Sequence, residues 1–177
     1  MPSPARLFTA LAIVLAVAGC SGSSPGAAPT RTAPDLAAFL RLPVATPTAC
    51  PTDVRGTTSG RRSPWVGHVD VSVFVASSAT ATATRRLGRE LRSLDDVETV
   101  YFESKAEAYA EFQRLYTCSA QVPHRAVPAS YRLVLQALTQ PERDDLVRTI
   151  GGLGGVGSVS CDPSNPCVGA TRTHPTG

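Results

Sequence analysis

Two segments far apart in the chain carry the same hydropathy pattern, and no other feature narrows the fold as much. LDDVETVYF (94–102) and LGGVGSVSC (153–161) both read L-x-x-V-x-x-V, a leucine that closes a helix followed by valines that open a strand. What precedes each copy is also alike. In HVDVSVFVA (68–76), Val69, Val71, Val73 and Val75 alternate as one face of a strand, and Leu87, Leu91 and Leu94 then recur at helical spacing. Gly88 inside that helix weakens it by about 1 kcal/mol relative to alanine. Before the second copy, SYRLVLQAL places Tyr131, Leu133 and Leu135 on one strand face. QPERDDLVRTIGGL follows as a helix, with Pro141 at its first position, acidic residues in its first turn and glycines past its end. Two strand–helix–strand units in series predict an α+β fold: a ferredoxin-like two-layer sandwich of two βαβ units, with a four-stranded antiparallel sheet.

The halves are joined by a further helix. In YFESKAEAYAEF (101–112), Ser104 and Glu107 form an S-x-x-E capping box, so the helix starts near Ser104. Tyr109, Phe112 and Tyr116 then fall on one stripe, which predicts a packing face. The expected core is Val71, Leu91, Val100, Phe112, Leu133 and Ile150, with the helices covering one face of the sheet.

The N-terminus is of a different kind. MPSPAR, the apolar run LFTALAIVLAVA and then VAGC (17–20) read as a secretory signal whose end resembles the bacterial lipobox. Cleavage before Cys20 would leave that cysteine as the acyl acceptor, at about 0.8 kcal/mol per buried CH₂. The expected organisation is a leader over 1–19, a lipidated Cys20 with a flexible Ser/Pro/Ala/Thr-rich tether over 20–64, a domain over 65–162 and a tail over 163–177. No later segment is long and apolar enough to span a bilayer. Loss of Arg6 with the leader leaves 16 Lys and Arg against 14 Asp and Glu, a formal charge of +2. With no basic stripe to follow phosphates, nucleic acid is not an expected partner.

Four cysteines remain beyond Cys20, an even number that suits an exported protein. Three pairings are possible. The turn-forming DPSNP insert favours Cys161 with Cys167, leaving Cys50 with Cys118 to pin the N-terminal arm. Their spacing, with no C-x₂-C and no paired histidine, does not suit a metal site.

Catalytic and cofactor motifs do not assemble. GLGGVG (152–157) satisfies G-x-G-x-x-G, but it follows a helix and precedes a strand, the reverse of a dinucleotide site. Its glycines serve a helix end and a tight return. His68, His124 and His174 are isolated, there is no G-x-S-x-G elbow, and Glu103 reads as a helix-entry residue favoured by the helix dipole. The expectation is a protein that is not an enzyme and uses neither cofactor nor metal.

DVSVFV, then LRSLDDVETVYFESKAEAYAEF, VPASYRLVLQAL and GGLGGVGSV together closely resemble the extracellular domain of FtsX, the permease-like cell-division protein, over about residues 68 to 160. The most specific parts are V-x-x-V-x-F-x-S-K-x-E-A-x-x-x-F, carried by Val97, Val100, Phe102, Ser104, Lys105, Glu107, Ala108 and Phe112, and PASYRL (128–133). The resemblance implies a domain on the outer face of the cell membrane that docks or regulates peptidoglycan hydrolases or their activators, in connection with a division transporter. Unlike the family, this sequence shows no transmembrane helices. The segment between the joining helix and PASYRL, where the family carries a partner-binding lobe, is short and contains Cys118. That join, YTCSAQVPHRAVP (116–128), has no strand or helix period, and its Tyr116, Val122, His124 and Val127 are the expected partner-binding residues. The alternative is a small-molecule or peptide-binding lipoprotein built on the same sandwich.

Overall fold

The computed structural model describes residues 31–44, 58–119, 122–163 and 166–167. The chain runs α1 (Leu36–Leu40), β1 (Val71–Val75), α2 (Ala81–Arg92), β2 (Val97–Glu103), α3 (Lys105–Leu115), a 3₁₀ turn (His124–Ala126), β3 (Ser130–Leu135), α4 (Gln140–Gly151) and β4 (Val156–Cys161). The strands form one antiparallel sheet in the order β2-β3-β1-β4. This is the ferredoxin-like α+β sandwich, with α3 inserted between its halves. Val97 and Val156, the first valines of the two L-x-x-V-x-x-V copies, each open a strand.

The alternation of apolar residues decides which side of the sheet meets α2 and α4. Val71, Val73 and Val75 of β1 and Tyr131, Leu133 and Leu135 of β3 join Leu87 and Leu91 of α2 and Leu146, Val147 and Ile150 of α4 in one buried cluster. Val71, Leu87, Leu91, Leu133 and Ile150 are fully enclosed, while Val100 is half-buried at its margin. Gly88 is in α2 because Tyr131 lies against the helix: a Cβ there would stand 2.6 Å from the Tyr131 hydroxyl and 2.9 Å from its ring. That hydroxyl donates to Thr84 O at 2.7 Å. The helices begin where their caps allow, with Thr80 accepting from Ala83 N, and Ser104 and Glu107 exchanging hydrogen bonds.

The second face of the sheet is also covered, which departs from the one-sided arrangement expected. Val69 precedes β1 and packs there with Trp65 and Val134 instead of extending the valine face of the strand. Asp70 accepts from Leu135 N at 2.9 Å and pairs with Arg31 at 2.6 Å. Part of the segment expected to be a tether is therefore structured. Asp35 caps α1, and Arg114 of α3 donates to the carbonyls of Leu40 and Leu42, closing the C-terminal end of that short helix. Cys161 and Cys167 are disulfide-bonded with Cα atoms 5.7 Å apart, so Cys167 is held against the end of β4. Cys118 is disulfide-bonded as well, while Cys20 and Cys50 lie outside the described residues.

Candidate functional site

The join between α3 and β3 is organised by the aromatic side chains of α3. Tyr116 ends that helix in an extended conformation, its amide still bonded to Phe112 O. Its ring lies 4.6 Å from that of Phe112, and its backbone bridges to Thr58. One turn earlier, the Tyr109 hydroxyl donates to Val122 O at 3.2 Å, and its ring meets His124 edge-on at 4.9 Å. His124 is exposed, whereas Tyr116, Val122 and Val127 are half-buried. The structure thus brings Val122 and His124 together over Tyr109 and sets Tyr116 beside Phe112 on the same helix. Val127 closes the 3₁₀ turn, its amide donating to His124 O at 3.3 Å, and leads into Pro128 and β3.

Phe112 is consequently not in the core. It is half-buried and belongs to neither apolar cluster, because the stripe of Tyr109, Phe112 and Tyr116 faces the join. The other stripe of the helix, through Ala108 and Glu111, is the buried one. A charged residue on that face is explained by what it meets.

Glu103, at the end of β2, is completely buried. Its carboxylate accepts from Trp65 Nε1 at 3.3 Å, from Ser130 Oγ at 2.8 Å and from Arg132 Nη2 at 2.6 Å. The Arg132 guanidinium also donates to Ser72 and lies over the rings of Trp65 and Phe74, at 5.5 and 5.6 Å from their centroids. Glu111 approaches the same guanidinium at 3.7 Å, and its Oε2 is buried without a hydrogen-bond partner. Burial, then the hydrogen bond and charge of Glu103, push the Glu111 carboxyl up to about 8. Burial acts upward on Glu103 too, but the hydrogen bond from Glu111, the charge of Arg132 and the bonds from Ser130 and Arg132 outweigh it and hold Glu103 below the usual carboxylate range. The two acids lie against one cation, and their closeness moves their pKa values in opposite directions. Glu103 is therefore the centre of a buried charge cluster that locks α3 to the sheet, not simply a helix-entry residue. A sequence signal for it existed: Arg132 interrupts the apolar strand SYRLVL, and a buried arginine needs buried acids.

Residues 68–163 match the family model of the FtsX extracellular domain. The chain belongs to this family. It is a cell-division-related extracytoplasmic domain, of a family whose role is regulatory and non-catalytic. No curated protein matches the chain. In this FtsX extracellular domain the matched segment supplies the sheet, α2 to α4 and the whole join, whereas Trp65 and Arg31, which close the second face, precede it. No helix among the described residues is long and apolar enough to cross a membrane, and no three of their His, Cys, Asp or Glu side chains are grouped as metal ligands.

A groove of about 540 Å³ opens beside the join. It runs from the end of β1 to the 3₁₀ turn, with the first residue of α3 at its rim. Its size lies within the range of roughly 300–1,000 Å³ common for ligand sites.

Proposed function

We propose that this chain is a lipid-anchored docking domain that binds or regulates peptidoglycan hydrolases, or their activators, on the outer face of the cell membrane during division. The observation that carries the reading is the family membership over residues 68–163, coupled to an aromatic patch at the join where the family carries its partner lobe. Half-buried Tyr109, Phe112 and Tyr116, with exposed His124 beside them, offer the mixture of rigid rings and polar edges that protein interfaces favour. The ion pair of Glu103 and Arg132 gives that patch a fixed platform, since Glu111 of α3 lies 3.7 Å from the same guanidinium. Attachment through acyl chains on Cys20 would keep such a surface close to the wall without a spanning helix.

Crosslinked capture from membranes tests the reading. Wild-type protein is expected to retain wall hydrolases or their activators. The triple substitution Tyr116→Ala, Val122→Ala and His124→Ala should abolish capture, with a melting temperature lowered by no more than a few degrees, because none of the three belongs to the main core. Undiminished capture by the folded triple variant places the docking surface elsewhere.

A further inference from the structure

The charged side chains that line the groove beside the join are all cations. Lys105, the only lysine of the chain, and Arg125 of the 3₁₀ turn both line it, both are exposed, and no acidic side chain lines it with them. Neither forms an ion pair among the described residues. Lys105 is also misplaced for the helix it starts. As the first residue of α3 it sits at the positive end of the helix dipole, where a cation is disfavoured.

The remaining lining suits an extended chain better than a small ion. Ser77 and Ser78, where β1 has ended and α2 has not begun, are exposed and make no hydrogen bond to any other described residue. Their amides and hydroxyls are open donors in the same groove as the two cations. Phe74 and Pro128 supply apolar surface, which a free inorganic anion would leave unused. Thr80, the cap of α2, already satisfies Ala83 N, so these donors are separate from the helix end.

We propose that this groove receives an extended acidic segment of a protein partner, its carboxylates held by Lys105, Arg125 and the two serines and its intervening apolar side chains set against Phe74 and Pro128. The inference rests on the docking reading above and supplies the chemistry of the partner. Charge-assisted bonds to a carboxylate give it affinity, and the absence of any acid in the groove gives it selectivity against basic segments.

The probe is a fluorescent, acetylated peptide of alternating glutamate and valine, titrated against the full chain, with the glutamine–valine peptide as control. The acidic peptide should bind and the control should bind at least about tenfold more weakly, as expected when two charge-assisted contacts are lost. Lys105→Gln with Arg125→Gln should remove the difference between the peptides, while Lys105→Arg with Arg125→Lys should retain it, which separates charge from folding. Carbodiimide coupling should join a peptide carboxylate to the Lys105 amine, and that crosslink should be found by mass spectrometry. Equal binding of the two peptides, or unchanged binding in the glutamine double variant, overturns the proposal, as does tighter binding of phosphatidylglycerol vesicles or of soluble wall muropeptides by the same two cations. The two readings fail separately. Hydrolase capture that persists in the glutamine double variant, with no peptide bound to wild type, removes the groove and leaves the docking reading standing. Peptide binding that depends on Lys105 and Arg125 with no hydrolase captured does the reverse.

Discussion

Glu111 shows how one residue can set the response of the fold to pH. Its carboxyl moves from an ordinary 4.5 to about 8 because it is buried beside Glu103, with Arg132 too far away to compensate fully. Below pH 4.5 the folded and unfolded chains both hold this proton and the group contributes nothing. Between 4.5 and 8 the unfolded chain releases it while the folded chain keeps it, so stability falls as pH rises and the loss is complete above about 8. Glu103 acts in the opposite sense, adding stability above its ordinary 4.5 that is lost as pH falls through its lower folded value. The melting temperature should therefore be higher at pH 5 than at pH 8, by at least about 5 °C, which is of the order of 1 kcal/mol for a domain of this size. Glu111→Gln keeps a donor toward Glu103 and should flatten that slope and raise the melting temperature at pH 8; an unchanged slope would move its origin to other groups. Gly88 makes a second residue-scale case in which two local terms oppose. Gly88→Ala gains about 1 kcal/mol of helix propensity, but the new methyl meets Tyr131 at 2.6–2.9 Å on a buried ring held by Thr84. Overpacking of this kind costs about 1–3 kcal/mol, so the variant should be less stable by about 1 kcal/mol in a urea titration.

At the scale of elements, α3 is where an apolar stripe and a buried face part company. Because Phe112 is half-buried against Tyr116 rather than packed on the sheet, Phe112→Ala should cost no more than about 1.5 kcal/mol, against about 2–5 kcal/mol for Leu133→Ala in the enclosed core. Chemical denaturation of the two variants side by side reads the difference directly. The strands and the other two long helices were legible because their signals are local. Alternating valines, paired caps and the repeated L-x-x-V-x-x-V each report on a neighbourhood of a few residues, and they place β2 and β4 at Val97 and Val156. What α3 faces is not local. Glu111 is buried only because β2 and β3 bring Glu103 and Arg132 to the same spot, from eight residues before it and twenty-one after it in the sequence. Val69 misleads for a related reason: it continues the alternation of β1, but the chain has not yet entered the sheet and turns toward Trp65. The same holds for residues 31–44, whose composition reads as a tether while Arg114, far along the chain, fixes the end of α1.

For the whole molecule, the proposed docking role turns on whether the domain is held at a membrane. Among the described residues no helix is long and apolar enough to cross a bilayer, and the FtsX extracellular domain match covers residues 68–163. The proposed anchor is a set of acyl chains on Cys20, the cysteine of VAGC (17–20). A single chain of this kind binds membranes only marginally, whereas two or more give stable attachment. Wild-type protein should therefore incorporate an alkyne-tagged fatty acid and sediment with membranes, and Cys20→Ala should incorporate none. Label that persists in the variant would rule out Cys20 as the acceptor. The same variant separates anchoring from binding. The sandwich, its Cys161–Cys167 disulfide and the groove are all built from residues beyond Arg31, so Cys20→Ala protein should melt at the wild-type temperature and bind the acidic peptide with unchanged affinity. If the anchor contributes only proximity, its loss should lower hydrolase capture on intact cells while leaving capture by purified protein intact, because tethering raises local concentration without adding a contact. Equal loss in both settings would mean that the lipidated end takes part in the docking surface itself.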